Sequence, residues 1–155
     1  NVKTCDTWTY KNNNNIFHYV LSSNSGIDKL TIKFNKGTYK IGDIEWMPVK
    51  VMHDKMPILG FRFGKFAYIT DMKTIPDEEL PYLKGLEVLV VNALRFDKPH
   101  HSHQLVDDAI RFAIRIGAEK VYFTHMTHDI GLHDAANKRL PKGFQFGYDG
   151  QVIEL

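Results

Sequence analysis

The sequence predicts an α/β fold in which a mixed, twisted sheet carries helices on one face. Three observations predict it. Residues 86–91 (LEVLVV) are apolar apart from Glu87, as in a strand buried on both faces. Residues 104–116 place Leu105, Ala109, Phe112, Ala113 and Ile116 on one helical face, and the strand-like KVYFT of residues 120–124 follows. Residues 59–63 and 66–70 are two β-rich runs joined at Gly64-Lys65, a two-residue hairpin signal. Strand–helix–strand passages beside hairpins mean a mixed sheet and not a purely parallel or antiparallel one.

The remaining elements follow in order. Asn12 to Asn15 reads as a solvated loop, and Ile16, Phe17, Tyr19, Val20 and Leu21 form the one apolar group near the start. Leu30, Ile32 and Phe34 alternate with polar residues, the period of a half-buried strand. Residues 44–52 form another strand, and Pro48 requires an edge or a bulge there. In residues 74–85, Pro76 precedes Asp77, Glu78 and Glu79, which suits a helix start. Ser102 or His103 stands where a cap begins the helix of residues 104–116, and Gly117 where one ends. FQFGY and QVIEL flank Asp149-Gly150, which predicts a closing hairpin.

With 155 residues, 25% charged and a net charge of +2, the composition suits one globular domain and offers no basic surface for nucleic acid. A single cysteine, Cys5, excludes an internal disulfide and favours a reducing compartment, so a cytoplasmic location is expected. No apolar run approaches the ~20 residues of a membrane-spanning helix.

Chemistry is expected where strands end. His53, Asp71 and His125 each follow a predicted strand, and the polar segment from Asn92 to His103 follows another. In α/β sheets the C-terminal strand edge is where sites form, because strand ends converge there and the loops are free to vary. Imidazoles with a carboxylate suit zinc or manganese. Five of the eight histidines, His100, His101, His103, His125 and His128, crowd into 29 residues. The plainer readings stand beside this one: Asp71 as a turn residue, and Ser102-His103 as a helix cap.

Two stretches carry a resemblance. VMHDKMPILGFRFGKFAYITD and VNALRFDKPHHSHQLVDDAIRFAIRIGAEKVYFTHMTHD resemble, in order, the later motifs of the metallo-β-lactamase superfamily. They are nearest its branch of phosphonate-pathway cyclic phosphodiesterases and tRNA 3′-processing nucleases. The resemblance implies a four-layer αββα sandwich, with His53 and His125 as terminal ligands of two divalent ions, zinc or manganese, and Asp71 bridging them. His103 matches the histidine that protonates the leaving group. His101 would face solvent, His128 would orient the site or a loop, and His100 has no assigned role; nothing is expected of His18 or His133. The superfamily's His-x-His-x-Asp-His string does not occur here. The 155 residues are therefore expected to be the C-terminal part of a single domain, completed by a missing N-terminal half or by another chain. The implied activity is phosphodiester hydrolysis by a metal-bridging hydroxide, with a small phosphodiester or nucleotide-like substrate, no membrane partner, and room for a homodimer. Hydrolysis of an ester, thioester or lactone, or a non-catalytic metal-binding role, are the alternatives.

Overall fold

The computed structural model describes the backbone of residues 7–13, 16–23 and 26–34 and the whole of residues 37–155. Cys5, Asn14 and Asn15, the side chain of His18, and the burial of the apolar group at residues 16–21 lie outside what is described. Two compact units result, Asn1–Thr38 and Tyr39–Leu155. In the first, β1 (Thr7–Asn13), β2 (Ile16–Ser23) and β3 (Gly26–Phe34) form an antiparallel sheet in the order β1-β2-β3. Asn12 and Asn13 thus belong to a strand, where the sequence suggested loop.

The second unit is a seven-stranded mixed sheet. Its strands are β4 (Tyr39–Ile41), β5 (Ile44–His53), β6 (Met56–Phe63), β7 (Phe66–Ile69), β8 (Val88–Asn92), β9 (Lys120–Thr124) and β10 (Phe144–Phe146). Their order is β10-β9-β8-β7-β6-β5-β4. Strands β7 to β10 are mutually parallel, and β6 is antiparallel to both β7 and β5. Strands β5, β7, β8 and β9 therefore all point the same way, and their C-terminal ends share one edge of the sheet. Among the described residues β4 reaches only Ile44–Trp46, which leaves Pro48 on an open edge as its missing N–H demands.

One face of this sheet holds the core. Val49, Val51, Ala67, Ile69, Leu89, Val91, Val121 and Phe123 are buried at alternate strand positions. They pack in one cluster with Val106, Ala109, Phe112, Ala113 and Ile116 of α1 (Val106–Ile116). The intervening Tyr68, on the other face, is 41% exposed. Gly60 allows β6 to lie close to its neighbour, since a Cβ there would stand 2.7 Å from Ile69 Cγ1. Gly64 supplies the positive φ of the β6–β7 hairpin, as the Gly64-Lys65 signal requires.

Three expectations are corrected. Residues 74–85 contain only a 3₁₀ turn, Asp77–Leu83, because Pro81 inside it removes a donor that an α-helix needs. Helix α1 starts later than predicted, with Leu105 as N-cap, so neither Ser102 nor His103 caps it. Asp108 instead accepts the Leu105 N–H at 3.1 Å. The closing hairpin does not form: β10 pairs in parallel with β9, and residues 151–155 form no strand. The Asp149-Gly150 signal marks a turn in which Gln151 N–H donates to Tyr148 O at 3.1 Å. A short helix, α2 (His133–Asn137), was not foreseen. No helix among the described residues is long and apolar enough to cross a membrane.

Candidate metal centre

The shared strand edge gathers the predicted residues. His53 is the last residue of β5, Asp71 lies two positions past β7, and His125 immediately follows β9. Asp71 and His125 adopt left-handed backbone, with φ of 59° and 58°. That conformation is uncommon outside glycine, though Asp and His tolerate it better than most, and such strain concentrates at functional sites.

His103 Nε2 lies 3.1 Å from Asp71 Oδ1, and His125 Nε2 lies 3.4 Å from the same oxygen. The His103 ring stacks on His125 with centroids 4.7 Å apart and meets His53 edge-on at 4.8 Å. One ligand atom each from His53, Asp71 and His103 falls within 4.8 Å of the others. His125 touches Asp71 without joining that mutual set. Asp71 is thus the residue shared by every imidazole here, and its carboxylate with the His53 and His125 nitrogens beside it is a donor set that fits a divalent transition metal. The structure brings together all four residues singled out in the sequence. The side chain of His103 is 11% exposed, against 41% for His125 and 42% for Asp71.

Electrostatics follow from this packing. Burial pushes the Asp71 carboxyl up, but hydrogen bonds from Thr70 (Oγ1 to Oδ2, 2.6 Å) and His103, with His125 nearby, outweigh it and hold the group below its ordinary value. Burial lowers His103; its Asp71 bond raises it, His125 and His53 lower it further, and the net direction is down. Both shifts make the folded chain bind fewer protons than the unfolded one. The stability they contribute is whole above the unfolded value and is lost on acidification, from about 6.5 downward for His103 and from about 3.8 downward for Asp71. Metal-free protein should therefore show a lower urea midpoint at pH 5 than at pH 8. The drop should be smaller in His103→Gln, and an equal or higher midpoint at pH 5 would contradict the burial described.

The other histidines separate clearly. His100 Nδ1 lies 3.2 Å from His103 Nδ1, with Ser102 Oγ 3.3 Å from the first and 3.0 Å from the second. His100 and Ser102 thus sit directly behind His103, a neighbourhood the sequence did not resolve. His101 is exposed, as expected. His128 does not orient the ligands: its side chain is 96% exposed, 3.8 Å from Asp129. His133 sits apart, bonding Phe146 O at 3.0 Å.

Reasoning from sequence missed what lies beneath the site. Asn92, the last residue of β8, is wholly buried and bonds both backbone groups of Met72 at 2.9 Å. Gln104, also buried, donates its amide to Asn92 O at 2.8 Å. The available signal was a polar residue ending an otherwise apolar strand.

Comparison with known proteins gives the family. Residues 5–126 match the family described as Beta-lactamase superfamily domain. The chain is 37% identical to a solved diphosphatase of the PhnP family, covering 79% of this chain and 47% of that one with a TM-score of 0.75. Human tRNase Z, short form, shares the fold at 15% identity and a TM-score of 0.59, over 90% of this chain and 47% of that one. An octanoyltransferase of Porphyromonas gingivalis is 38% identical over 112 residues, 72% of this chain but 23% of that protein. The chain thus spans about half the length of these solved structures. The family match over most of the chain, and strand ends converging on Asp71, place this protein in the beta-lactamase superfamily, with the metallo-β-lactamase fold.

Proposed function

We propose that the intact protein is a metal-dependent hydrolase of phosphodiesters or diphosphates, and that this chain supplies the Asp71 side of its metal centre. The observation that carries the reading is the single Asp71 oxygen faced by both His103 Nε2 and His125 Nε2, with His53 alongside. His53 and Asp71 would hold one divalent ion and His125 and Asp71 the other. Further ligands would come from the His-x-His-x-Asp-His segment, in sequence beyond these residues or from another chain. Such ions supply Lewis acidity to a phosphoryl oxygen and make a water acidic enough to act near neutrality. Asp71, kept ionised by its hydrogen bonds, serves as a permanent acceptor. His103, in its imidazolium form, would give its Nε2 proton to the departing oxygen as the P–O bond breaks and be left as the neutral ring, and Ser102 and His100 fix that ring from the Nδ1 side. The likeness to a PhnP-family diphosphatase supports phosphorus chemistry. A small, nucleotide-like substrate is the class we infer.

Acyl hydrolysis or transfer is the second reading, and the octanoyltransferase likeness favours it, although that match spans under a quarter of that protein. One assay separates the two. With manganese or zinc present, the intact protein should hydrolyse bis(p-nitrophenyl) phosphate at least about tenfold faster than an octanoyl thioester or a lactone, since its metals suit displacement at phosphorus. A preference for the thioester or lactone would replace the first reading by the second. Turnover of none of them, with metal bound, would leave a binding domain.

A further inference from the structure

We infer that Asn92 is a positioning residue that sets Asp71 and His103 against each other, using its side-chain amide as an extra rung of the sheet. The regular pairing of β7 with β8 ends at Ile69↔Val91. Beyond it the chain breaks from the β8 ladder to reach the left-handed Asp71, and it next meets a strand at Lys73 and Thr74, which bond Met52 of β5, so on the β8 side Met72 has no regular ladder partner. Asn92 fills the gap. Its Oδ1 accepts the Met72 N–H and its Nδ2 donates to Met72 O, each at 2.9 Å, so one amide grips both backbone groups of the residue after Asp71.

The same carbonyl, Met72 O, also accepts the Gln104 N–H at 3.1 Å, and Gln104 directly follows His103. Gln104 is fixed on two further sides, by Asn92 O through its side chain at 2.8 Å and by Leu94 N–H on its carbonyl at 3.1 Å. Lys73 Nζ adds a bond to His103 O at 3.1 Å. Asp71 is therefore followed by a residue held by the Asn92 side-chain amide, and His103 by one held by Met72 O and the Asn92 backbone carbonyl, while their own side chains meet at 3.1 Å. A displacement of Met72 moves both.

Chemistry makes the position specific. A buried amide persists only where its donor and acceptor are both satisfied. Aspartate would turn an acceptor toward Met72 O, leucine would offer no bond, and glutamine is one methylene too long for the same grip. The contact is to backbone, so the demand falls on residue 92 alone and not on the identity of Met72.

The catalytic meaning of this clamp rests on the function proposed above, but its structural effect does not, and the test reads both. In the intact, metal-free protein, Asn92→Asp and Asn92→Ala are compared with the parent by the imidazole NMR signals of His103, with His133 as a distant reference. The inference predicts shifted or broadened His103 signals beside unchanged His133 signals. With manganese and a phosphodiester carrying an alkyl leaving group, kcat should fall about 10- to 100-fold, as when partners behind a metal ligand are removed, while KM stays within about twofold. In a His103→Ala background the same substitutions should cost markedly less, because part of what they disturb is already gone. Unmoved His103 signals, an equal loss in both backgrounds, or failure of both variants to fold would overturn the inference and leave Asn92 a core residue. Shifted signals in a protein that never cleaves the phosphodiester would keep the clamp and discard the proposed function.

Discussion

Replacing His103 by alanine in the intact protein should slow hydrolysis of a phosphodiester with an alkyl leaving group by about 10²- to 10⁴-fold, the usual worth of general-acid catalysis. The loss should shrink towards unity for nitrophenolate, which departs without a proton. Bound metal should be unchanged, since the proposed ligands are His53, Asp71 and His125. This last point discriminates, because His103 Nε2 is as near Asp71 as any ligand would be, and His103 belongs to the compact set with His53 and Asp71. If His103→Ala loses one metal equivalent and slows activated and unactivated substrates alike, His103 is a ligand. The role of acid would then pass elsewhere, with His100, 3.2 Å behind it, the first candidate. A helix-capping role is already set aside, since α1 begins beyond His103 with Leu105 as its cap.

What was legible in the sequence was whatever depended on local pattern. The run at residues 86–91, the helix with one apolar face and the Gly64-Lys65 turn each encode their element through period or turn chemistry, and each is present. Where a signal was local but its use was global, reading failed. Asp149-Gly150 does make a turn, yet β10 pairs with β9 in parallel, and no hairpin signal reports on a partner distant in sequence. Pro76 and three acids resemble a helix start, but Pro81, five residues after Pro76, denies the helix its length. The site was legible because strand ends in a sheet with this strand order must share an edge, so residues 53, 71 and 125 meet although 72 positions separate the first and last. The clamp beneath was not legible: nothing in the sequence pairs Asn92 with the backbone of Met72. The left-handed turns at Asp71 and His125 were equally hidden, because neither is glycine.

Those turns guide the second large effect. Asn tolerates left-handed backbone about as well as Asp, so Asp71→Asn should preserve the fold while removing the charge that both ions share. Metal affinity should fall by more than about 100-fold, beyond what losing an outer partner costs, and hydrolysis should vanish with it. For His125 the informative change is to glycine, which carries no strain at φ of 58°, whereas alanine would confound ligand loss with backbone strain. His125→Gly should lose one of two metal equivalents. Position is the most direct test of the whole account. Diffraction at the zinc absorption edge, from crystals of the intact protein grown with zinc, should show two anomalous peaks. One should lie about 2.0–2.2 Å from a His53 nitrogen and the other as near a His125 nitrogen, with Asp71 oxygens reaching both. Zinc bound away from Asp71, or a single peak held by His53, Asp71 and His103 with His125 left free, would contradict it.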